Sequence, residues 1–292
     1  MKNFLKNTLF LLFLTLIIIN RPKVTYAILE GIKLWKNSVF PSVFPLMILS
    51  DFALSTSIIN VISNTIGKPF SKIFKLSKQS SYVFLLSALS GSPTNAKYIK
   101  DLLSHQYIEK KEAEKLLAMT YLYNPILILN ISSFLPVKIG IYLIVTNILI
   151  NIIIGIINRN NKINYTPIIK LEPQKFSLVE SINKALNVSM LILGSIIIFI
   201  TLISLIPIKH PLISGIFEIT NGITSLKNYD FTLKYNLIFI SIMLSFGGLS
   251  IITQIKSIFI NDKLNYSLFY KSRIIHLILF ILISLIYLKC FL

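Results

Sequence analysis

The chain has 292 residues, 14% of them charged and 54% hydrophobic, with a mean hydropathy of +0.75 and 29 Lys and Arg against 11 Asp and Glu, a net charge of +18. A soluble domain carries roughly 25% charged residues, so this apolar surplus excludes one and requires a bilayer. The basic balance does not point to nucleic acid, because the lysines sit in short segments between apolar runs, where anionic lipid is the natural partner.

Charge-free runs mark an all-α, polytopic membrane protein of about seven transmembrane helices, at 8–20, 37–50, 116–137, 139–158, 185–208, 235–255 and 274–288. Most approach the ~20 residues a helix needs to cross hydrocarbon, and they lack the alternation of a membrane barrel. Residues 1–28 form an N-terminal anchor. The first run resembles a signal peptide ending at Thr25-Tyr26-Ala27, but Arg21-Pro22-Lys23 beside it favours retention. The Lys and Arg bias between runs puts the N-terminus in the cytoplasm, together with segments 68–78, 97–115, 159–175 and 256–273. Lys68 to Lys78, with Ile66, Phe70, Ile73, Phe74 and Leu76 interleaved, reads as an interfacial amphipathic helix on anionic lipid.

Two charge-free stretches are interrupted. Residues 79–96 contain Ser90-Gly91-Ser92-Pro93-Thr94-Asn95, a run of turn formers that stops a helix midway. Residues 210–226 contain Thr220-Asn221-Gly222 and carry Glu218 among apolar neighbours. Both read as re-entrant hairpins, whose open backbone needs burial in protein or a watery cavity. After each comes a long apolar helix with its own break, at Tyr123-Asn124-Pro125 and at Phe246-Gly247-Gly248. The order span, hairpin, broken helix, span thus occurs in 29–158 and again in 185–292, joined by a cytoplasmic linker at 159–184. With the hairpins opening to opposite sides, this is the layout of an inverted repeat, in which broken helices meet near the midplane around a binding site.

The candidate substrate-binding residues follow from these breaks. Ser90, Gly91, Thr94 and Asn95 offer hydroxyl, amide and bare backbone groups at a tip, and a helix starting near Thr94 would point its positive end at a polar solute. Asn124, Gly247 and Gly248 are their partners from the broken helices, and Asn221 joins from the second hairpin. Glu218 is an intramembrane carboxylate, a functional candidate because such a group is costly. Each has a plainer reading. The first tip is also what a capped surface turn looks like, Asn124 and the glycine pair what a kink and a close-packing site look like, and Glu218 an interfacial loop residue. Asp51 reads as an interfacial carboxylate or a helix cap, Glu109 to Lys115 as a solvated helix end with local ion pairs, and His276 as an interfacial or packed residue. Three scattered histidines and the single Cys290 give no metal-ligand spacing and no disulfide, and no hydrolase or nucleotide-binding motif occurs. The expectation is therefore no enzyme, no cofactor and no metal.

Several ordered blocks carry a resemblance. Trp35 with Val39-Phe40-Pro41-Ser42-Val43-Phe44-Pro45 through Leu49-Ser50-Asp51 is similar to the opening of the YlbJ-like sporulation integral membrane proteins. Ser90 to Lys97 resembles their Ser-Gly-Tyr-Pro-Thr-Gly-Ala-Lys signature, departing from it at Ser92 and Asn95. Glu112-Ala113-Glu114-Lys115-Leu116-Leu117 with Asn124-Pro125, Phe217 to Gly222, and Ser245 to Ser250 with Gln254 match further blocks. The resemblance implies a multi-pass cell-membrane protein of endospore formation, built on the nucleoside-recognition or gate domain shared with the spore maturation proteins A and B. Two functions are compatible with it. One is a secondary transporter or permease of a small polar solute, nucleoside-like in class, coupled to a proton or sodium ion. The other is a non-transporting scaffold for spore-envelope assembly. A homo-oligomer is left open.

Overall fold

The structure, a computed structural model, describes residues 2–160, 175–207 and 209–291. Most of the linker expected at 159–184 therefore lies outside the described residues. Sixteen α-helices make up the described chain, and the one β-bridge among these residues pairs Gly91 with Tyr123.

Helix α1 (Lys2–Ile19) leads into α2 (Arg21–Leu34), which continues through a π-helical turn, Trp35–Val39, into α3 (Phe40–Leu54). The widened turn has a local cause. Pro41 brings no N–H to the helix, and Phe40 N–H bonds the Trp35 carbonyl five residues back. Residues 21–54 thus form one helical unit, and the expected anchor boundary at residue 28 falls inside α2. The short helices α4 (Ile58–Thr65) and α5 (Gly67–Phe74) follow; α5 buries Phe70 and Phe74 and leaves Lys68, Lys72 and Ile73 exposed, with Ile66 exposed just ahead of it.

The first hairpin is α6 (Ser80–Ser90) and α7 (Thr94–Ser104), with a cis Ser92–Pro93 peptide at its tip. The run 116–137 is not one span. Helix α8 (Lys110–Met119) ends, residues 120–124 are non-helical, and α9 (Pro125–Ile131) begins under an Asn124 cap. Then α10 (Val137–Ile157) crosses. The second half repeats the order: α11 (Leu178–Leu205), the hairpin α12 (Pro211–Phe217) and α13 (Ile219–Ser225), the pair α14 (Leu233–Phe246) and α15 (Gly248–Ile258) broken at Gly247, and α16 (Ser267–Phe291). Among the described residues five helical units are long and apolar enough to cross a membrane: 21–54, 137–160, 178–205, 233–258 and 267–291.

The faces of α10 show why a bilayer suits the fold. Ile141, Val145 and Leu149 point outward and are about half exposed, whereas Thr146, Asn147 and Asn151 on the opposite side are buried. Apolar groups outside and polar groups inside reverse the pattern of a water-soluble helix.

Contacts also gather the basic segments at one end of the bundle. Lys75 Nζ bonds Asn160 Oδ1 at 3.1 Å, Lys115 Nζ reaches the Arg159 carbonyl at 3.4 Å, Lys100 pairs with Asp262 at 2.6 Å, and Asn265 N–H donates to Glu114 at 2.7 Å. The segment expected to be a solvated helix end is so only over Glu109, Lys110 and Lys111. Glu112 and Lys115 are buried, and Glu112 accepts bonds from Ser77 N–H and the Ser80 hydroxyl, both at 2.6 Å, holding the approach to α6.

Candidate functional site

Each hairpin tip sits on the broken helix of its own repeat. In the first, Ser92 N–H donates to the Leu122 carbonyl at 2.7 Å beside the Gly91–Tyr123 bridge. Gly91 has φ +75, and a side chain there would run into the backbone N of Asn124, so the seat requires glycine. Asn124 works in two directions. Its Oδ1 accepts from Ile126 and Leu127 N–H at 2.8 and 3.1 Å, starting α9 at Pro125, while its Nδ2 donates to the Ser42 carbonyl of α3 at 3.0 Å. Asn95 Nδ2 reaches Thr120 Oγ1 at 3.3 Å, with its Oδ1 unpartnered. Ser90 Oγ donates to the Leu86 carbonyl and Thr94 Oγ1 to that of Gly91.

The helix does start at Thr94, and two of its first N–H groups are engaged within the tip. Asn95 N–H bonds the Gly91 carbonyl and Ala96 N–H that of Pro93. The tip is buried throughout, which removes the surface-turn reading.

In the second repeat Glu218, 2% exposed, separates α12 from α13 and caps α13 by accepting from Asn221 N–H at 2.6 Å. It is therefore not an interfacial loop residue. The two arms touch through glycines, since a Cβ on Gly222 would overlap the Gly215 backbone. The tip lies against Gly248, whose Cβ position is within 3.5 Å of Ile219 N and of the Gly215 and Phe217 carbonyls. Gly247 (φ +86) and Gly248 (φ +75) make the break between α14 and α15.

The two breaks meet each other. A Cβ on Gly247 would fall on the phenol of Tyr121, so the first repeat's non-helical segment fills the space left by the second repeat's glycine. The hairpins also reach across, α13 packing on α9 and α15 on α7. The predicted residues thus form two clusters, Ser90, Gly91, Thr94, Asn95 and Asn124 in one and Glu218, Asn221, Gly247 and Gly248 in the other, joined at Tyr121 and Gly247.

The sequence reading missed a set of groups behind this junction. The Arg273 guanidinium lies 4.6 Å over the Tyr121 ring and donates through Nη2 to the Ala118 carbonyl at 3.1 Å and to Asn151 Oδ1 at 3.3 Å. Asn151 Nδ2 donates to the Tyr121 carbonyl at 3.3 Å. His276 Nδ1 lies 2.9 Å from Ser245 Oγ and Nε2 lies 3.3 Å from Asn147 Nδ2. The final spans of the two halves, α10 and α16, therefore each contribute a polar pair that ties down both breaks. Arg273 was expected in a cytoplasmic segment, 256–273, by its Lys and Arg content; it is 5% exposed, buried in the bundle. His276 is packed, one of the two readings its sequence allowed. The available signal was the spacing of Asn147 with Asn151 and Arg273 with His276, which places each pair on one helix face.

Two cavities lie at opposite ends of α11. A polar one of about 90 Å³ lies between the end of α3, α7 and the start of α11, lined by Asp51, Asp101, His105, Glu180 and Lys184 among others. A wider groove of about 400 Å³ lies at the other end of α11, lined by Glu30, Ser204, Lys209, His210, Asn221 and Tyr229 among others. Their contacts on α11 fall at Glu180 to Lys184 and at Ile200 to Ser204, and at 1.5 Å per residue the two sets are centred about 30 Å apart along the axis. Among the described residues no group of three or more His, Cys, Asp or Glu is placed to hold a metal ion.

Comparison with known proteins gives one informative similarity. Over 91% of its length the chain is 24% identical to the sporulation integral membrane protein YlbJ of Bacillus subtilis (strain 168), covering 78% of that protein. No family model matches the chain, and no solved structure matches it.

Proposed function

We propose, from the premise that this chain is a YlbJ-like integral membrane protein, that it is a secondary transporter or permease of a small polar solute serving endospore formation. The observation that carries this reading is the pairing of two buried polar hairpin tips with two separate cavities at opposite ends of α11. A carrier that alternates between sides needs such a closed centre with an approach from each face. We place it in the cell membrane with the N-terminus and the gathered basic segments in the cytoplasm, where anionic lipid meets α5. The groove beside Asn221 then opens outward and the cavity at Asp51 inward.

On this reading Ser90, Thr94, Asn95, Asn221 and Glu218 meet the solute when a hairpin lifts from its seat, and Gly91, Asn124, Gly247 and Gly248 form the seats. The coupling ion is a proton or sodium. The solute class is polar and uncommitted beyond that; nucleoside-like compounds are the first to try, given the gate-domain resemblance. The test begins with metabolite profiling of spores with and without the gene, followed by flux of each altered solute in proteoliposomes under an imposed proton or sodium gradient. Gradient-driven flux supports the carrier. Failure of every altered solute to move, with the spore envelope misassembled, favours the scaffold, which needs the polar tips only to pack.

A further inference from the structure

The two glutamates of the Glu112-Ala113-Glu114 block face different partners. Glu112 holds the approach to α6, whereas Glu114 Oε1 accepts the Asn265 N–H at 2.7 Å. Asn265 belongs to the non-helical stretch 259–266 between α15 and α16 of the second repeat. Three residues earlier in that stretch, Asp262 takes the Lys100 ammonium of α7 between both of its oxygens, at 2.7 and 2.6 Å. Among the described residues this is the only ion pair that joins the two repeats.

We propose that residues 259–266 are a strap of the second repeat that clasps the first hairpin shut at its base, with Lys100–Asp262 as the fastening. Three observations lead there. The first is anchorage. Phe259 and Leu264 of the strap are buried, Asn265 Oδ1 accepts the Ser267 N–H at 2.9 Å where α16 begins, and Lys256 lies 5.6 and 5.5 Å from the ring centres of Tyr266 and Tyr270. With Glu114 holding Asn265 as well, the strap does not follow a moving helix. The second is leverage. Lys100 lies six residues beyond Thr94, about 9 Å along α7 from its start, and the tip ahead of Thr94 sits on the first break through Gly91 and Ser92. A hairpin that lifts from that seat carries α7 with it, so Lys100 has to leave Asp262. The third is the setting of the pair. The Lys100 and Asp262 side chains are 32% and 16% exposed, against 58% and 63% for Lys184 and Glu180, so water and salt screen the clasp less than an ordinary surface pair.

The other polar ties of the hairpin arms to α3 stay within the first repeat. Lys97 pairs with Asp51 of α3 and with Asp101 of its own helix, and Tyr82 of α6 donates to the Ser50 carbonyl at 2.9 Å. Breaking Lys100–Asp262 therefore frees α7 from the second repeat and leaves these anchors in place, which shifts a population without unfolding the hairpin. The inference rests on the transport reading for its purpose, since a hairpin that opens to the cytoplasm is shut by a clasp on that side, but its test needs no solute.

The test uses the full chain in nanodiscs, with Cys290→Ser and a single reporter, Ser92→Cys, at the buried tip. A hydrophilic methanethiosulfonate is the probe, at one pH and one ionic strength. Lys100→Glu sets a carboxylate against Asp262, and Asp262→Lys sets an ammonium against Lys100; each should label roughly fivefold faster as the open population rises. Lys100→Glu combined with Asp262→Lys restores the pair in reverse and should return to the parent's rate. Lys110→Glu, a charge reversal at an exposed position of α8, should leave the rate unchanged. The neutral variants Lys100→Gln and Asp262→Asn carry the test if a reversal fails to accumulate: each should label roughly two- to threefold faster, and the two together no faster than either alone. Reversals that label at the parent's rate, a swapped pair that stays fast, or neutral variants whose effects multiply overturn the proposal and leave the transport reading standing. A tip that answers to the pair in a protein that moves no solute upholds the strap and opposes the carrier.

Discussion

The two hairpins occupy equivalent places in their repeats but are held by different forces. The first is fastened by directional bonds: Ser92 N–H to Leu122, the Gly91–Tyr123 bridge, and the side-chain ion pairs of Lys97 with Asp51 and Asp101. The second rests on close glycine packing, its tip on Gly248 and its two arms on each other through Gly222 and Gly215, with one carboxylate closing the turn. Directional bonds fix a single position, whereas smooth packing of small residues permits sliding. The first hairpin is therefore held by bonds that are either made or broken, and the second by packing that carries no such directionality.

Breaking that contrast at the first seat should have the largest effect. Gly91→Leu must place a side chain where Asn124 N sits, at a φ that L-residues avoid, and should cost about 3 kcal/mol or more. Solute flux should vanish and the thermal unfolding midpoint in detergent should fall; unchanged flux and midpoint would mean the tip does not sit on the break. Gly247→Ala should approach this effect, because Tyr121 occupies the Cβ position, and Tyr121→Ala in the same chain should recover part of the loss. Thermal melts of the two single variants and the double variant measure that coupling.

Asn124→Ala comes next. It removes the α9 cap and leaves the buried Ser42 carbonyl short of a donor, a loss of about 1–3 kcal/mol. Asn124→Asp keeps the cap but not the donor and should fall between Ala and the parent in thermal melts. Glu218→Gln should be the mildest for stability, under about 1 kcal/mol, since the amide oxygen still accepts from Asn221 N–H. Gradient-driven flux in proteoliposomes then separates a capping role, which leaves flux intact, from a coupling role, which abolishes it.

The sequence carried the breaks and not what they touch. Turn formers and proline act locally, so Ser90 to Asn95, Asn124-Pro125 and Gly247-Gly248 were legible as interruptions, and their order gave the repeated arrangement of span, hairpin and broken helix. Tertiary pairing has no such local signature. Arg273 looked like an interfacial charge because nothing in its neighbourhood names Tyr121, which lies over 150 residues away in the chain. Glu112 and Lys115 looked solvated because a charged run usually is, yet the open N–H groups ahead of α6 give Glu112 a buried role. The run 116–137 read as a span by composition, although residues 120–124 spend their backbone on the hairpin tip instead of on a helix.

The central claim is that the two cavities open on opposite sides of the membrane. Single cysteines in place of Lys184, beside the small cavity, and Lys209, beside the groove, test it most directly in a Cys290→Ser background, with an impermeant maleimide applied to intact cells. The account expects Lys209→Cys to label at once and Lys184→Cys to label only after the membrane is permeabilised. Labelling of both from outside the intact cell would contradict it, because both cavities would then open on the same face.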